Sequence, residues 1–370
     1  MLAALSAPLA SALAHPLFAA AQSAASPLSG VVQTAGDGLA LTPAEYSALL
    51  NDMGAAIKPD VYSLGGVVAE LERKVAEDLG KETAVWVSTG TLANHLAVRL
   101  LAGSRRRVIV QKESHLYNDS GDCCETLSGL DLVPLAADSA TFSVDDLERE
   151  YQRSNSSRVA VPIGAIQIES PVRRRKGEVF PLSEMCKVSQ WARERQIGLH
   201  LDGARLYIAS AYSGVPVREY AALFDTVYIS MYKYFNAASG AVLAGPRSLL
   251  ENLFHQRRMF GNGLNQVWPF AAVALHNFAG FPERFARSVA ASEKVIAALE
   301  ADSRFELTRI SNGTNIFLLR VKDAEPAAYQ RRAREAGLVL RAPTKGYFQV
   351  RVNETWSRVT PQQIVARFQS

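Results

Sequence analysis

With 370 residues, 48% of them hydrophobic and 21% charged, the chain is long enough for two domains and has the balance of an ordinary globular protein. Its net charge of +4 is small for this length. The arginine runs at 105–107 and 173–175, the latter continued by Lys176, have no nucleic-acid motif beside them, so they read as solvated faces or as partners for phosphate and carboxylate groups.

Cys123, Cys124 and Cys186 are too few and too unevenly spaced for a disulfide framework or a zinc site, and no metal is expected. The first 36 residues contain no Asp, Glu, Lys or Arg. They resemble the later part of an export signal, but no basic segment opens them, and Pro8 and Pro16 break the apolar run well short of a membrane span. Residues 1–35 are therefore expected to be an apolar arm or a signal remnant on a cytoplasmic protein, export being the alternative.

From Gly36 the composition becomes globular. Thr42 and Pro43 mark a helix entry, a capping residue followed by proline at the first helical position. A second helix is expected over 67–79, with Leu71, Val75 and Leu79 along one apolar face. Residues 84–87 read as a strand running into Ser88, Thr89, Gly90 and Thr91 at the start of a helix, where free N–H groups and the positive dipole end suit an anion. The strand over 107–111 leads to His115, a residue type that titrates near neutrality and can relay a proton.

Next come a buried strand over 165–169, a turn over 177–181, and a helix capped by Ser183 with Met185, Val188 and Trp191 on its inner side. Strands over 197–201 and 226–230 follow, the first leading into Asp202 and Arg205 and the second into Lys233. This alternation predicts an α/β fold, a mainly parallel sheet with helices on both faces. Residues 240–245 follow Lys233 too closely for a crossover helix and are expected to form an antiparallel hairpin partner. Beyond residue 270, a helix over 282–299, strands over 305–309 and 315–321, a helix over 325–336 and a strand over 347–352 predict a small α+β domain. The expected division is a large domain over 36–270 and a small C-terminal domain over 271–370.

In an open α/β sheet, ligands bind in the crevice outside the carboxyl ends of the strands, where Asp202 and Lys233 are delivered. The stretch His200, Asp202, Gly203, Ala204, Arg205, with a lysine at the end of the next strand, resembles the threonine aldolase and β-eliminating lyase family of pyridoxal phosphate (PLP) enzymes. The resemblance implies the PLP-dependent transferase fold, fold type I, with Lys233 holding PLP as an imine and Asp202 paired with the pyridine nitrogen. It makes His115 the residue stacked on the ring, Thr89, Gly90 and Thr91 the phosphate cup, and Arg351, with Arg205, the partner of a substrate carboxylate. Ser230 stands where its hydroxyl could serve the phosphate, and Arg258 lies in a segment resembling the family loop that reaches a neighbouring subunit's cofactor. A homodimer or homotetramer with shared active sites is implied, without nucleic acid or membrane.

Three departures stand beside these matches. Ala35-Gly36-Asp37-Gly38 replaces a Ser-Asp-Thr-like run, Tyr232 and Tyr234 flank the lysine where small residues are usual, and Asn265 replaces an arginine. The resemblance implies cleavage of β-hydroxy-α-amino acids to glycine and an aldehyde. The alternatives are β-elimination, for example of carbon-sulfur bonds, giving a keto acid and ammonia, and PLP binding without turnover.

Overall fold

Short aliphatic runs form the strands: β1 (Val32–Gln33), β2 (Thr83–Val87), β3 (Arg107–Gln111), β4 (Asp131–Leu135), β5 (Ile163–Glu169), β6 (Gly198–Asp202), β7 (Thr226–Ser230), β8 (Ala241–Gly245), β9 (Phe305–Arg309), β10 (Ile316–Val321), β11 (Leu338–Val339) and β12 (Phe348–Arg351). The structure is a computed structural model and describes residues 30–156 and 158–370. The expected N-terminal arm lies outside the described residues as far as residue 29. No helix among the described residues is long and apolar enough to cross a membrane.

Seven strands make one sheet in the order β2-β8-β7-β6-β5-β3-β4. The neighbours from β4 to β7 are parallel, and β8 runs antiparallel to both β7 and β2. The expected hairpin at 240–245 is therefore present, with a second antiparallel neighbour on its other side. Every residue of β5, β7 and β8 is buried, as a sheet covered on both faces requires.

The two-residue period of the strands sorts their side chains between two layers. Leu199, Leu201, Val227 and Ile229 join the core built with helices Gly66–Leu79 and Leu182–Glu194. Tyr228 packs instead with Ala93, Leu96 and Ala97 of helix Gly90–Ala102, so His200 and Asp202, which alternate with the two leucines of β6, also face that helix.

Two local expectations are corrected. Helix Leu182–Glu194 is capped by Pro181, whose φ of −60° and ψ of 137° set the entry, so Ser183 lies inside the first turn and does not cap it. Strand β6 begins at Gly198 and runs through Asp202, because Asp202 still pairs with Glu169 of β5. The sequence reading passed over β4, a short edge strand that tolerates Pro134, and the strongly polar helix Val144–Ser156.

Towards the C-terminus, β12, β10 and β9 form an antiparallel sheet, while β1 pairs in parallel with β11. Val32 accordingly sits in a second core with Phe317, Leu319 and Trp356. Helix Phe281–Glu300 serves both cores, with Phe281 and Phe285 in the first and Val295, Ile296 and Leu299 in the second. Beyond β1, Thr34 N donates to Val339 O at 3.0 Å and Thr34 O accepts from Arg351 N at 3.0 Å. These bonds carry residues 35–37 to the carboxyl edge of the large sheet.

Gly164 tests how tightly the sheet and its helix layer are packed. A Cβ there would lie 2.3 Å from Arg105 O and 2.8 Å from the backbone of Ala102, groups that cannot rotate away. Gly164→Ala is expected to destabilise the protein by about 1–3 kcal/mol, measured by urea unfolding; an unchanged midpoint would contradict the packing described.

Candidate active site

Asp202 ends β6 fully enclosed, 2% exposed, and a buried carboxylate needs partners. Its Oδ2 accepts from Asn94 Nδ2 at 2.6 Å and its Oδ1 from Ala204 N at 3.1 Å, so it also caps the turn that follows. The Asn94 amide is fixed in turn, because Asn94 Oδ1 lies 2.8 Å from His200 Nε2 and His200 Nδ1 lies 2.9 Å from Thr226 Oγ1. Burial pulls the His200 imidazole down to about 4, against the pull of Asp202, so it is neutral at physiological pH. A neutral ring donating from Nε2 and accepting at Nδ1 satisfies every member of this chain.

Lys233 follows β7 in the adjoining loop and is half-buried. Its Nζ lies over the Tyr232 and Tyr228 rings, 4.7 and 5.9 Å from their centroids, and 3.4 Å from Tyr232 Oη. Burial and then the Arg205 guanidinium lower its pKa, opposed by Tyr232, Asp202 and Asp37. An amine so placed is readied for attack on a carbonyl. Tyr234, the other tyrosine beside it, points away into the aromatic core, its ring 4.5 Å from Phe235 and 5.0 Å from Phe281.

Asp37, at the departure noted in the sequence, proves central. One carboxylate oxygen takes Arg205 Nε at 2.9 Å and Nη2 at 2.8 Å; the other faces Asn315 Nδ2 at 3.3 Å and Arg351 Nε at 3.7 Å. Burial alone would raise its pKa, but the Arg205 and Arg351 guanidiniums hold it at about 2. Arg351 Nη1 donates to Ala35 O at 3.1 Å. Arg205 Nη1 and Arg351 Nη2 have no hydrogen bond among the described residues, which leaves a donor on each guanidinium for a carboxylate.

His115 opens the short helix His115–Asn118, and its Nε2 lies 3.2 Å from Thr91 Oγ1. Burial lowers its pKa, with Asp202 opposing and Lys233 adding to the effect, which sets all three groups in one electrostatic neighbourhood. Beneath it, Glu169 accepts His115 N at 2.5 Å on one oxygen and Arg173 N at 2.8 Å on the other. Burial first, then the neighbouring Asp202, raises Glu169 from 4.5 to about 7.

Helix Gly90–Ala102 begins at the same edge, with Thr89 Oγ1 accepting Leu92 N at 3.1 Å, so the amides of Gly90 and Thr91 have no partner in the helix. A Cβ on Gly90 would stand 2.0 Å from Tyr228 Oη, so glycine is required for the phenol to fit. Ser230 Oγ, buried beside that phenol, makes no hydrogen bond of standard geometry. Arg258 stands apart, exposed on helix Leu253–Met259 with its guanidinium 5.2 Å from the Tyr62 ring.

The structure thus gathers Lys233, Asp202, His115, Thr91, Ser230, Arg205 and Arg351 around one strand-end crevice and leaves Arg258 outside it. Asp37, Asn94, Glu169 and Tyr228 had no assigned part in the sequence reading. The spacing of His200 and Asp202, which puts both on one face of a strand, was the available signal for a polar partner on the facing helix.

Glu169 yields a pH prediction. The folded protein keeps the Glu169 proton up to about pH 7, whereas the unfolded chain loses it near 4.5, so stability falls as pH rises across that window. Wild type should lose stability relative to Glu169→Gln between about pH 5 and about pH 8 in denaturant titrations; parallel profiles would contradict the shift.

Comparison with known proteins agrees with this geometry. The family description "Beta-eliminating lyase" matches residues 45–322. A low-specificity L-threonine aldolase of Saccharomyces cerevisiae is 30% identical over 225 residues, which are 60% of this chain and 57% of that protein. The chain thus spans less than two thirds of the length of that relative. Among solved structures, a candidate L-allo-threonine aldolase from Listeria monocytogenes superposes with a TM-score of 0.76 at 25% identity, covering 92% of this chain and 97% of the other. A candidate aromatic amino acid β-eliminating lyase/threonine aldolase from Exiguobacterium superposes with a TM-score of 0.78 at 24% identity, over 92% and 97% of the two chains. The sheet with its single reversed strand, the strand-end Asp202 and Lys233, and a family match over most of the length show that the chain belongs to the β-eliminating lyase family.

Proposed function

We propose that the protein is a PLP-dependent aldolase that cleaves β-hydroxy-α-amino acids, such as threonine, allo-threonine or phenylserine, to glycine and an aldehyde. The observation that carries this reading is the meeting of a lysine of lowered pKa, a buried carboxylate with one donor on each oxygen and two guanidiniums at one sheet edge. The donor set fits PLP: Lys233 for its aldehyde carbon, Asp202 for its ring nitrogen, and the Gly90 and Thr91 amides with the buried Ser230 hydroxyl for its phosphate. Bound there, PLP supplies an electron sink for the pair released at Cα.

The chain's own residues supply the rest. Arg205 Nη1 and Arg351 Nη2 take the substrate carboxylate, Asp37 keeping both guanidiniums in place. That grip fixes which Cα bond stands across the ring face, and so which bond breaks. His115, or a water held by it, receives the β-hydroxyl proton; its lowered pKa keeps the imidazole neutral and able to accept.

The site is read as shared between subunits of a homodimer or homotetramer. Val61, Tyr62, Leu64, Met259 and Leu264 are exposed apolar side chains beside Arg258, and Tyr62 N is tied to Asn265 O at 2.7 Å, so they form one surface suited to a second copy. Free thiols at Cys123, Cys124 and Cys186 fit a cytoplasmic setting.

Proton NMR of products from the PLP-loaded enzyme with L-threonine, L-allo-threonine and phenylserine should show glycine and the matching aldehyde. Lys233→Ala is expected to reduce this by at least about 10³-fold; an active variant would remove the assignment. A second reading, β-elimination, rests on Tyr232 Oη lying 3.4 Å from Lys233 Nζ, where a phenol can exchange protons with the lysine. Keto acid and ammonia from an S-alkyl cysteine, lost in Tyr232→Phe, would establish it in place of the aldolase.

A further inference from the structure

Arg173 and Arg174, from the arginine run whose sequence reading was a solvated face or a partner for phosphate and carboxylate groups, lie at the mouth of this crevice. Arg173 N and His115 N share the two oxygens of Glu169, at 2.8 and 2.5 Å, so Arg173 is held as a neighbour of His115. Its guanidinium pairs with Asp119, which also lies 3.9 Å from His115 Nδ1 and 3.6 Å from Arg174 Nη1. Arg174 Nε in turn is 3.6 Å from Glu113.

The segment that carries Arg341 runs towards the same mouth from the side of the small sheet. Thr34 bonds to Val339 and Arg351 and leads directly to Asp37, so the chain two residues beyond Val339 passes close to the carboxylate-binding guanidiniums. The Arg351 guanidinium feels the charge of both Arg341 and Arg173. Arg341 is exposed and has no hydrogen bond or ion pair among the described residues.

These charges do not cancel. Within the crevice, Asp37 offsets one of the Arg205 and Arg351 charges and a substrate α-carboxylate offsets the other. At the mouth, Glu113 and Asp119 offset two of the three guanidiniums Arg173, Arg174 and Arg341, leaving about one positive charge. A methyl or phenyl side chain would leave that charge unused. A singly charged carboxylate is opposite to it in sign, equal in magnitude and planar in shape, whereas a doubly charged phosphate would overshoot it.

We propose that the preferred substrates are β-hydroxy-α-amino acids bearing a second carboxylate on Cβ, of which 3-hydroxyaspartate is the smallest, with Arg341 and Arg173 receiving that group. This rests on the aldolase reading and names its substrate class. The Cα–Cβ bond breaks, the β-hydroxyl loses its proton as Cβ becomes the aldehyde carbon of glyoxylate, and the electron pair left at Cα is protonated to give glycine. The reaction needs no oxidant or reductant.

The test separates charge recognition from turnover. The PLP-loaded protein is titrated with L-aspartate and with its near-isosteric neutral counterpart L-asparagine, neither of which can undergo retro-aldol cleavage, and binding is followed by the cofactor absorbance. Aspartate should bind at least about tenfold more tightly, the preference shrinking in high salt, falling to about twofold or less in Arg341→Ala and recovering in part in Arg341→Lys. Arg341 is exposed and unbonded, so its removal leaves the fold intact, and Arg173→Gln provides a second variant. Equal affinities, or tighter asparagine, would overturn the proposal. The kcat/KM ratio for 3-hydroxyaspartate over threonine should follow the same order of variants. Absence of glycine from every β-hydroxy acid, with the aspartate preference intact, would instead remove the aldolase reading alone.

Discussion

A single buried carboxylate links the parts of this molecule. Asp37, 8% exposed, binds Arg205 at the end of the large sheet while facing Arg351 and Asn315 on the small one. Burying such a group is costly unless its partners are in place, and leaving one side of a buried ion pair alone costs about 3–5 kcal/mol. The segment that delivers Asp37 must therefore run where it does, through β1 and the bonds of Thr34 to Val339 and Arg351. The guanidiniums of Arg205 and Arg351 inherit their positions from that requirement.

The second constraint is the chain from Thr226 through His200 and Asn94 to Asp202, which joins β7, β6 and the facing helix. Each link satisfies a group that would otherwise be buried without a partner, so the strand register and the helix position are fixed together. Asp37 orders the side of the crevice that holds Arg205 and Arg351, and this chain orders the side that holds Asp202.

Much of this was legible in the sequence because it is local. Strands β7 and β9 match the expected limits, and the antiparallel return at β8 followed from the short connection after Lys233. The delivery of Asp202 and Lys233 to one edge of the sheet was legible from two strand ends. What escaped depends on distant partners. Asn94 acts through residues more than a hundred positions away, and Asp37 looked like a lost motif because its role is defined by Arg205 and Arg351. Arg258 has no part in the crevice of its own chain; its guanidinium lies over the Tyr62 ring at the surface.

The helix Phe281–Glu300 has a consequence for how the protein comes apart. Its first turns are embedded in the core of the large sheet and its last turns in that of the small one, so neither core can be exposed without stripping one end of the same rod. Heat should therefore meet a single cooperative unit, and calorimetry of one chain should record one transition where two separable lobes would give two.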